Sequence, residues 1–181
     1  MRILILFAHP ALEKSRVHRR LVQAVASLPG VTFHDLYERY PNFHIDVDHE
    51  QRLLREHDLY VWQHPVYWYS APALLKQWLD LVLTHGWAYG AKGTALQGRY
   101  VLSAISTGGA SSSYQRGGFH DATIQDFLLP IRRTVTLCKM TYLDPFVVYG
   151  AHRLQSADLD NHADCYAARI VALRDGLEAL P

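Results

Sequence analysis

The stretch at residues 2–8 reads RILILFA and stops at His9-Pro10. Large apolar and β-branched residues follow one another there without polar alternation, the pattern of a strand buried on both faces, as in a parallel sheet. A helix is expected next. Ser15 can cap it, with Val17, Leu21, Val22 and Val25 on one face and Arg19, Arg20 and Gln23 on the other, and Pro29-Gly30 ends it. The alternation then repeats. Further strands are predicted at 31–36, 58–64, 99–105 and 141–149, the last interrupted by Asp144-Pro145. Helices are predicted near 49–57, at 71–82, at 121–137 and at 156–177. Pro130 suits the third of these if the helix proper begins near Asp126, which puts the proline in or just past the first turn. Leu159, Ala163, Tyr166, Ile170 and Leu173 form the inner stripe of the last helix.

Strands alternating with helices imply an α/β fold, a doubly wound parallel sheet with helices on both faces. Five strands suit the flavodoxin-like order 2-1-3-4-5, in which ligands sit at the carboxyl ends of the strands near the switch point. No linker, repeat or low-complexity segment divides the chain, so residues 1–181 are expected to form a single domain. Apolar residues make up 49% and charged residues 19%, which excludes a disordered or fibrous chain. Eighteen Lys and Arg stand against 17 Asp and Glu, a net +1 that gives no electrostatic case for nucleic acid or an anionic membrane. Two cysteines, Cys138 and Cys165, are too few for a disulfide scaffold or zinc cluster, and both read as buried thiols. No apolar stretch approaches the roughly 20 residues of a membrane span, and no signal peptide is visible. The expectation is a soluble, cytoplasmic protein.

Function is sought in the loops that follow the strands. The first, His9 to His18, lacks both G-x-G-x-x-G and the P-loop pattern. It offers Ser15 and a helix N-terminus, where free N–H groups favour a phosphate; Ser15 as a simple cap remains the alternative. The third loop, His64 to Pro72, carries Tyr67, Trp68 and Tyr69 in succession. They could wall a flat apolar ligand, or serve loop packing or an oligomer interface. The fourth, Thr107-Gly108-Gly109 with three serines and Tyr114, lets backbone approach a ligand or is a flexible turn. Asp46, Asp48, His49 and Glu50, with His44 nearby, do not share a helical face, and no metal site is expected there. Together the three loops fit one flat, phosphorylated ligand, which points to flavin mononucleotide.

The same residues carry a family resemblance. His9-Pro10, Ser15-Arg16-Val17, the run Pro65–Lys76 (PVYWYSAPALLK), Trp78, Asp80, Val82, Gly86–Gly90 (GWAYG) and Ser106-Thr107-Gly108-Gly109 resemble the NAD(P)H:quinone oxidoreductase (DT-diaphorase-like) family. Within it the chain is most similar to the small ancillary proteins of glutathione-regulated Kef potassium-efflux systems. The resemblance covers about the whole chain, and P-V-x-W-x-x-x-P-A-x-L-K is its specific part.

The resemblance implies FMN, with FAD still open, and NAD(P)H as co-substrate. His9, Ser15, Arg16, Val17 and His18 match the segment that holds the flavin phosphate and ribityl chain. Pro65, Val66, Tyr67, Trp68 and Tyr69 match the loop along the isoalloxazine, and Thr107, Gly108 and Gly109 the turn at its polar edge. Tyr114 and His120 match the pair credited with stabilising charge on the reduced flavin. The implied reaction is two-electron, ping-pong hydride transfer to a quinone or similar electrophile. A homodimer is implied, with Trp87 or Tyr89 at its interface, as is a membrane potassium-efflux partner holding the protein at the inner membrane. Two departures stand out: His18 replaces the usual Asn, and the C-terminal extension of FAD-using members is missing, which favours FMN. The rival readings are a regulatory subunit with incidental reductase activity, and a hydrolase, against which the absence of G-x-S-x-G speaks.

Overall fold

A computed structural model describes residues 1–180. The strand at Ile3–Phe7 (β1) is buried at every position, as an unbroken apolar run requires of a central strand. It leads into Arg16–Val25 (α1), whose N-cap Ser15 accepts the His18 N–H through its side chain. Val31–Asp35 (β2) comes next and is only half buried, as suits an edge. Asp35 caps the single turn Leu36–Arg39 (α2), so Leu36 opens a helix where the sequence pattern extends the strand. Val47–Arg55 (α3), Leu59–Pro65 (β3), Ala73–Val82 (α4) and Tyr100–Ser106 (β4) follow.

The stretch expected as one helix at 121–137 is two. Thr123 caps Ile124–Phe127 (α5) through a capping box with Asp126, and Leu129–Leu137 (α6) begins anew with Pro130 in its first turn. The proline ring has no N–H and would clash inside a continuous helix, so the chain restarts ahead of it. The fifth strand is likewise two pieces, Thr141–Tyr142 (β5) and Phe146–Val148 (β6), before Ser156–Asp175 (α7) closes the fold.

The order is β2-β1-β3-β4-β5, with β6 also on β4, and every pairing is parallel. Six strands rather than five therefore make the sheet. The pairs Val101–Tyr142 and Ala104–Phe146 are out of step by one residue, so a bulge around Asp144-Pro145 splits a single lane of the sheet. Alternation along the strands feeds two cores. Leu4, Leu6, Tyr60 and Trp62 pack under α3 and α4, and Ile3, Ile5, Leu59 and Val61 under α1 and α7. All five stripe residues of α7 are buried. Cys138 is buried, which raises its thiol pKa to about 11, but Cys165 is exposed because it falls off the buried stripe of α7.

Candidate active site

The carboxyl ends of β1, β3, β4 and β6 surround a cleft of about 450 Å³, within the roughly 300–1,000 Å³ of small-molecule sites. Its walls are His9, Lys14, Ser15, Arg16 and Val17 from the first loop, Pro65, Val66 and Tyr67 from the third, and Ser106, Thr107 and Gly108 from the fourth. Ala11, Ala151 and His152 complete them. Two cations and two histidines line this cleft and no carboxylate does, so it suits an anionic ligand.

The first loop supplies the donors. His18 N–H goes to Ser15 Oγ at 3.1 Å and Arg19 N–H to the Ser15 carbonyl at 3.4 Å. Among the described residues the N–H groups of Arg16 and Val17 then have no partner, and both residues line the cleft. Ala11 N–H donates to His9 Nδ1 at 3.1 Å, which leaves the proton of the neutral ring on Nε2. Burial lowers the His9 pKa, partly offset by Glu13. Phosphate on this helix end is the arrangement that free N–H groups and the helix dipole favour.

The third loop is a tight turn. Tyr67 and Ser70 exchange both backbone hydrogen bonds, at 3.0 and 2.9 Å, while Trp68 (φ 47°) and Tyr69 (φ 63°) occupy the left-handed region between them. Bulky residues there are strained by roughly 1–2 kcal/mol each, where a glycine would relax the turn. Strain kept at such a position is a mark of a functional loop. Tyr67 turns inward, its ring edge-on to His9 at 6.1 Å, whereas Trp68 stands 93% exposed.

In the fourth loop Thr107 Oγ1 donates to the Gly109 carbonyl at 2.9 Å, and Gly150 and Ala151 N–H groups tie the β6 loop to Gly109 and Thr107. A Cβ on Gly109 would lie 3.1 Å from Tyr114 and 3.5 Å from His120. Those two rings sit 4.5 Å apart and, with Tyr69 and Phe127, form an aromatic cluster behind the glycine turn. Thus Tyr69, Gly109, Tyr114 and His120 border the cleft without lining it.

His18 is elsewhere. Its ring is fully buried beneath the cleft, with Nε2 2.9 Å from Ser106 Oγ, so it supports the floor. Burial, with His9 and His64 nearby, holds its pKa well below the usual histidine range. Lys14 and His152 were given no role by the sequence reading, and Ser106 stood in the family pattern without one; the loop after the fifth strand was the one strand end left unread. Trp87 and Tyr89, expected at an interface, are half buried against the chain's own core, and the Arg55 guanidinium lies 5.8 Å over Trp87.

The acidic segment is also accounted for. Asp46 caps α3 by accepting the His49 N–H. His34, His49 and Glu50 bring possible ligand atoms within 4.8 Å of one another. Glu50 Oε1, however, already accepts from Tyr40 and His34, and Oε2 accepts from Trp78, so the carboxylate is engaged in the fold.

A family model described as a flavodoxin-like fold matches residues 1–170. The glutathione-regulated potassium-efflux system ancillary protein KefG of Serratia proteamaculans (strain 568) is 47% identical over 165 residues, 91% of this chain and 90% of its own. General stress protein 14 of Treponema denticola, solved in complex with FMN, superposes with a TM-score of 0.88 at 39% identity, covering 98% of this chain and 100% of that one. An NADPH-quinone reductase from P. pentosaceus gives 0.85 at 32% identity, over 93% and 97% of the two chains. A structure described as a thermophilic tryptophan halogenase from Streptomycin violaceusniger gives 0.91 at 41%, over 98% and 99%.

Proposed function

The chain belongs to the flavodoxin-like-fold family, and from that premise we propose that it is an FMN-dependent NAD(P)H:quinone oxidoreductase associated with a glutathione-regulated potassium-efflux system. One observation carries the flavin: a cleft with cationic and N–H donors at the α1 end, the inward-turned Tyr67 beside it and a glycine turn opposite. The donor set fits FMN, and the similar protein from T. denticola holds FMN. The quinone comes from the likeness to the P. pentosaceus reductase, and the efflux partner from the 47% identity to KefG. No helix among the described residues is long and apolar enough to cross a membrane.

FMN held in this cleft would supply the two-electron hydride chemistry between NAD(P)H and a quinone. The chain's own task is to bind and orient. Lys14, Arg16 and the N–H groups of Arg16 and Val17 would hold the phosphate; Pro65, Val66 and Tyr67 would lie along the ring. The N–H groups of Gly108 and Gly109 would meet negative charge at the ring's polar edge, and Tyr114, against His120, would donate a proton to the acceptor. Trp68 remains available to cover the outer side of the site.

The reading is tested by visible absorption. Purified protein reconstituted with FMN should show flavin bands that bleach when NADH or NADPH is added anaerobically and return with a quinone. Protein that takes up no flavin sinks it. Flavin that binds but does not bleach favours the regulatory-subunit reading, which potassium efflux with such a turnover-dead protein would then examine. Tyr114→Phe should leave FMN affinity unchanged and lower kcat by about a hundredfold, the lower end for a positioned proton donor. An unchanged kcat would remove Tyr114 from the chemistry.

A further inference from the structure

The outward face of α1 carries more positive charge than the cleft uses. Arg16, Arg19, Arg20 and Gln23 stand at i, i+3, i+4 and i+7, so they share one exposed stripe of the helix over roughly 10 Å. With Ser156 and Leu159 of α7 they enclose a groove of about 350 Å³. Three guanidiniums in the first half of a helix oppose its dipole, and its first turn holds no acid to offset them. Arg20 has a partner, Asp160 at 3.4 Å, in a pair about half exposed on both sides. Asp158 faces its own helix end, where it accepts the Gln155 N–H at 2.9 Å. Among the described residues Arg16 and Arg19 have no ion-pair partner. Arg19 and Gln23 also border a second groove, of about 440 Å³, completed by Leu12, Glu13 and Val22. Leu12 and Val22 are half-buried and supply its apolar surface, and Glu13 is its one acid.

We propose that this face of α1 is a docking surface for an acidic segment of a partner protein. Carboxylates of the segment seat on Arg16, Arg19 and Arg20, and an apolar side chain between them enters the groove at Leu12 and Val22. The partner's chemistry follows from the two grooves together. Arginine presents a planar fork that takes a carboxylate through two hydrogen bonds, and three forks along a helix match acids spaced along a chain. A free phosphate would use the cations and leave Leu12 and Val22 idle. An anionic membrane is held by clusters of about four to eight cations; three arginines, one of them already paired, fall short. Arg16 also lines the cleft, so a docked segment reaches the edge of the site. The proposal stands apart from the flavin reading, because Arg19 and Arg20 line no part of that cleft.

Fluorescence anisotropy tests it on the full chain in the presence of FMN. The probe is a short labelled peptide of glutamates interrupted by leucine; the controls are an all-glutamate peptide and a glutamine–leucine peptide. The original protein should bind the first most tightly, the second several-fold less tightly and the third not measurably. Arg19→Glu combined with Arg20→Glu should weaken the first by at least about tenfold, the scale of two exposed ion pairs lost. Arg132→Glu combined with Arg133→Glu on α6, both positions exposed, changes the net charge equally and should cost less than about twofold. Leu12→Ser should bring the leucine peptide down to the level of the all-glutamate one, and melting of each variant reports any loss of fold. Three results overturn the proposal: no peptide bound by the original protein, equal losses in the α1 and α6 reversals, or a leucine that adds nothing. Retention on phosphatidylglycerol vesicles that the α1 reversal abolishes, with no peptide bound, would overturn it in favour of a lipid surface.

Discussion

Replacing Glu50 by leucine is expected to lower stability by about 3–5 kcal/mol, roughly a 10 °C fall in melting temperature for a chain of this size. Glu50 has no exposed surface. Its Oε1 accepts from Tyr40 Oη at 2.6 Å and His34 Nε2 at 2.8 Å, and its Oε2 accepts from Trp78 Nε1 at 2.7 Å. Burial alone would raise its pKa strongly, yet the His34 bond and charge and the Tyr40 and Trp78 donors together bring it below the ordinary value. The folded state therefore prefers the ion. Leucine keeps the volume and strands the Tyr40 hydroxyl and the Trp78 N–H in the core, each costing about 1–3 kcal/mol. Glu50→Gln keeps one acceptor and should lose only about 1–2 kcal/mol. Urea unfolding at pH 7 distinguishes them; two variants within about 1 kcal/mol of the original would make the network incidental. The consequence reaches the cleft, since Trp78 lies on α4, the helix entered directly from the strained aromatic turn.

How much of this was visible beforehand depends on how far apart the deciding residues lie. An apolar run such as 2–8 is local, and so is the stripe of α7; both define the sheet and its cover without knowledge of any partner. The loops around the cleft follow from one topological rule applied to those strands. His18 is a harder case. Read as a phosphate-side residue, it is buried, and the spacing of His18, Leu21 and Val25 already put it on the inward face of α1. The resemblance drew attention to the loop and away from the helix period. Trp68 was grouped with its aromatic neighbours, although a tight turn sends consecutive side chains in different directions and leaves only Tyr67 lining the cleft. Glu50 was illegible for another reason: its partners are His34, Tyr40 and Trp78, from three other segments, whereas the acids beside it in sequence serve only to cap and solvate α3. The broken fifth strand shows the same limit. Asp144-Pro145 announced an interruption, but only pairing with β4 shows that both pieces occupy one lane.

Acid should destabilise the protein well above the range in which carboxylates titrate, and the buried His64 and His18 are the cause. His64 stands next to last in β3 with its ring buried, Nδ1 donating to the Pro65 carbonyl at 2.9 Å and Nε2 without a partner among the described residues. Burial pushes its pKa down to about 4, slightly opposed by the Pro65 carbonyl. In the unfolded chain the same histidine titrates near 6.5. Between those values the unfolded state binds a proton that the folded state refuses, so stability is complete above about pH 6.5 and declines as the pH falls toward 4. At about 1.4 kcal/mol per unit, the loss from pH 7 to pH 4.5 should be about 2.5–3 kcal/mol from His64 alone. His18, depressed for the same reason, adds in the same direction. Glu50 does not contribute in this window, because a carboxyl held below its ordinary value costs stability only at lower pH. Urea unfolding at pH 7 and pH 4.5 should show the decline in the original protein and a difference smaller by about 2 kcal/mol or more in His64→Leu. Equal pH dependence in the two would shift the cause away from His64. If the assignment holds, flavin release should begin in the same acid range, since Pro65 and Val66, which line the cleft, follow His64 directly in the chain.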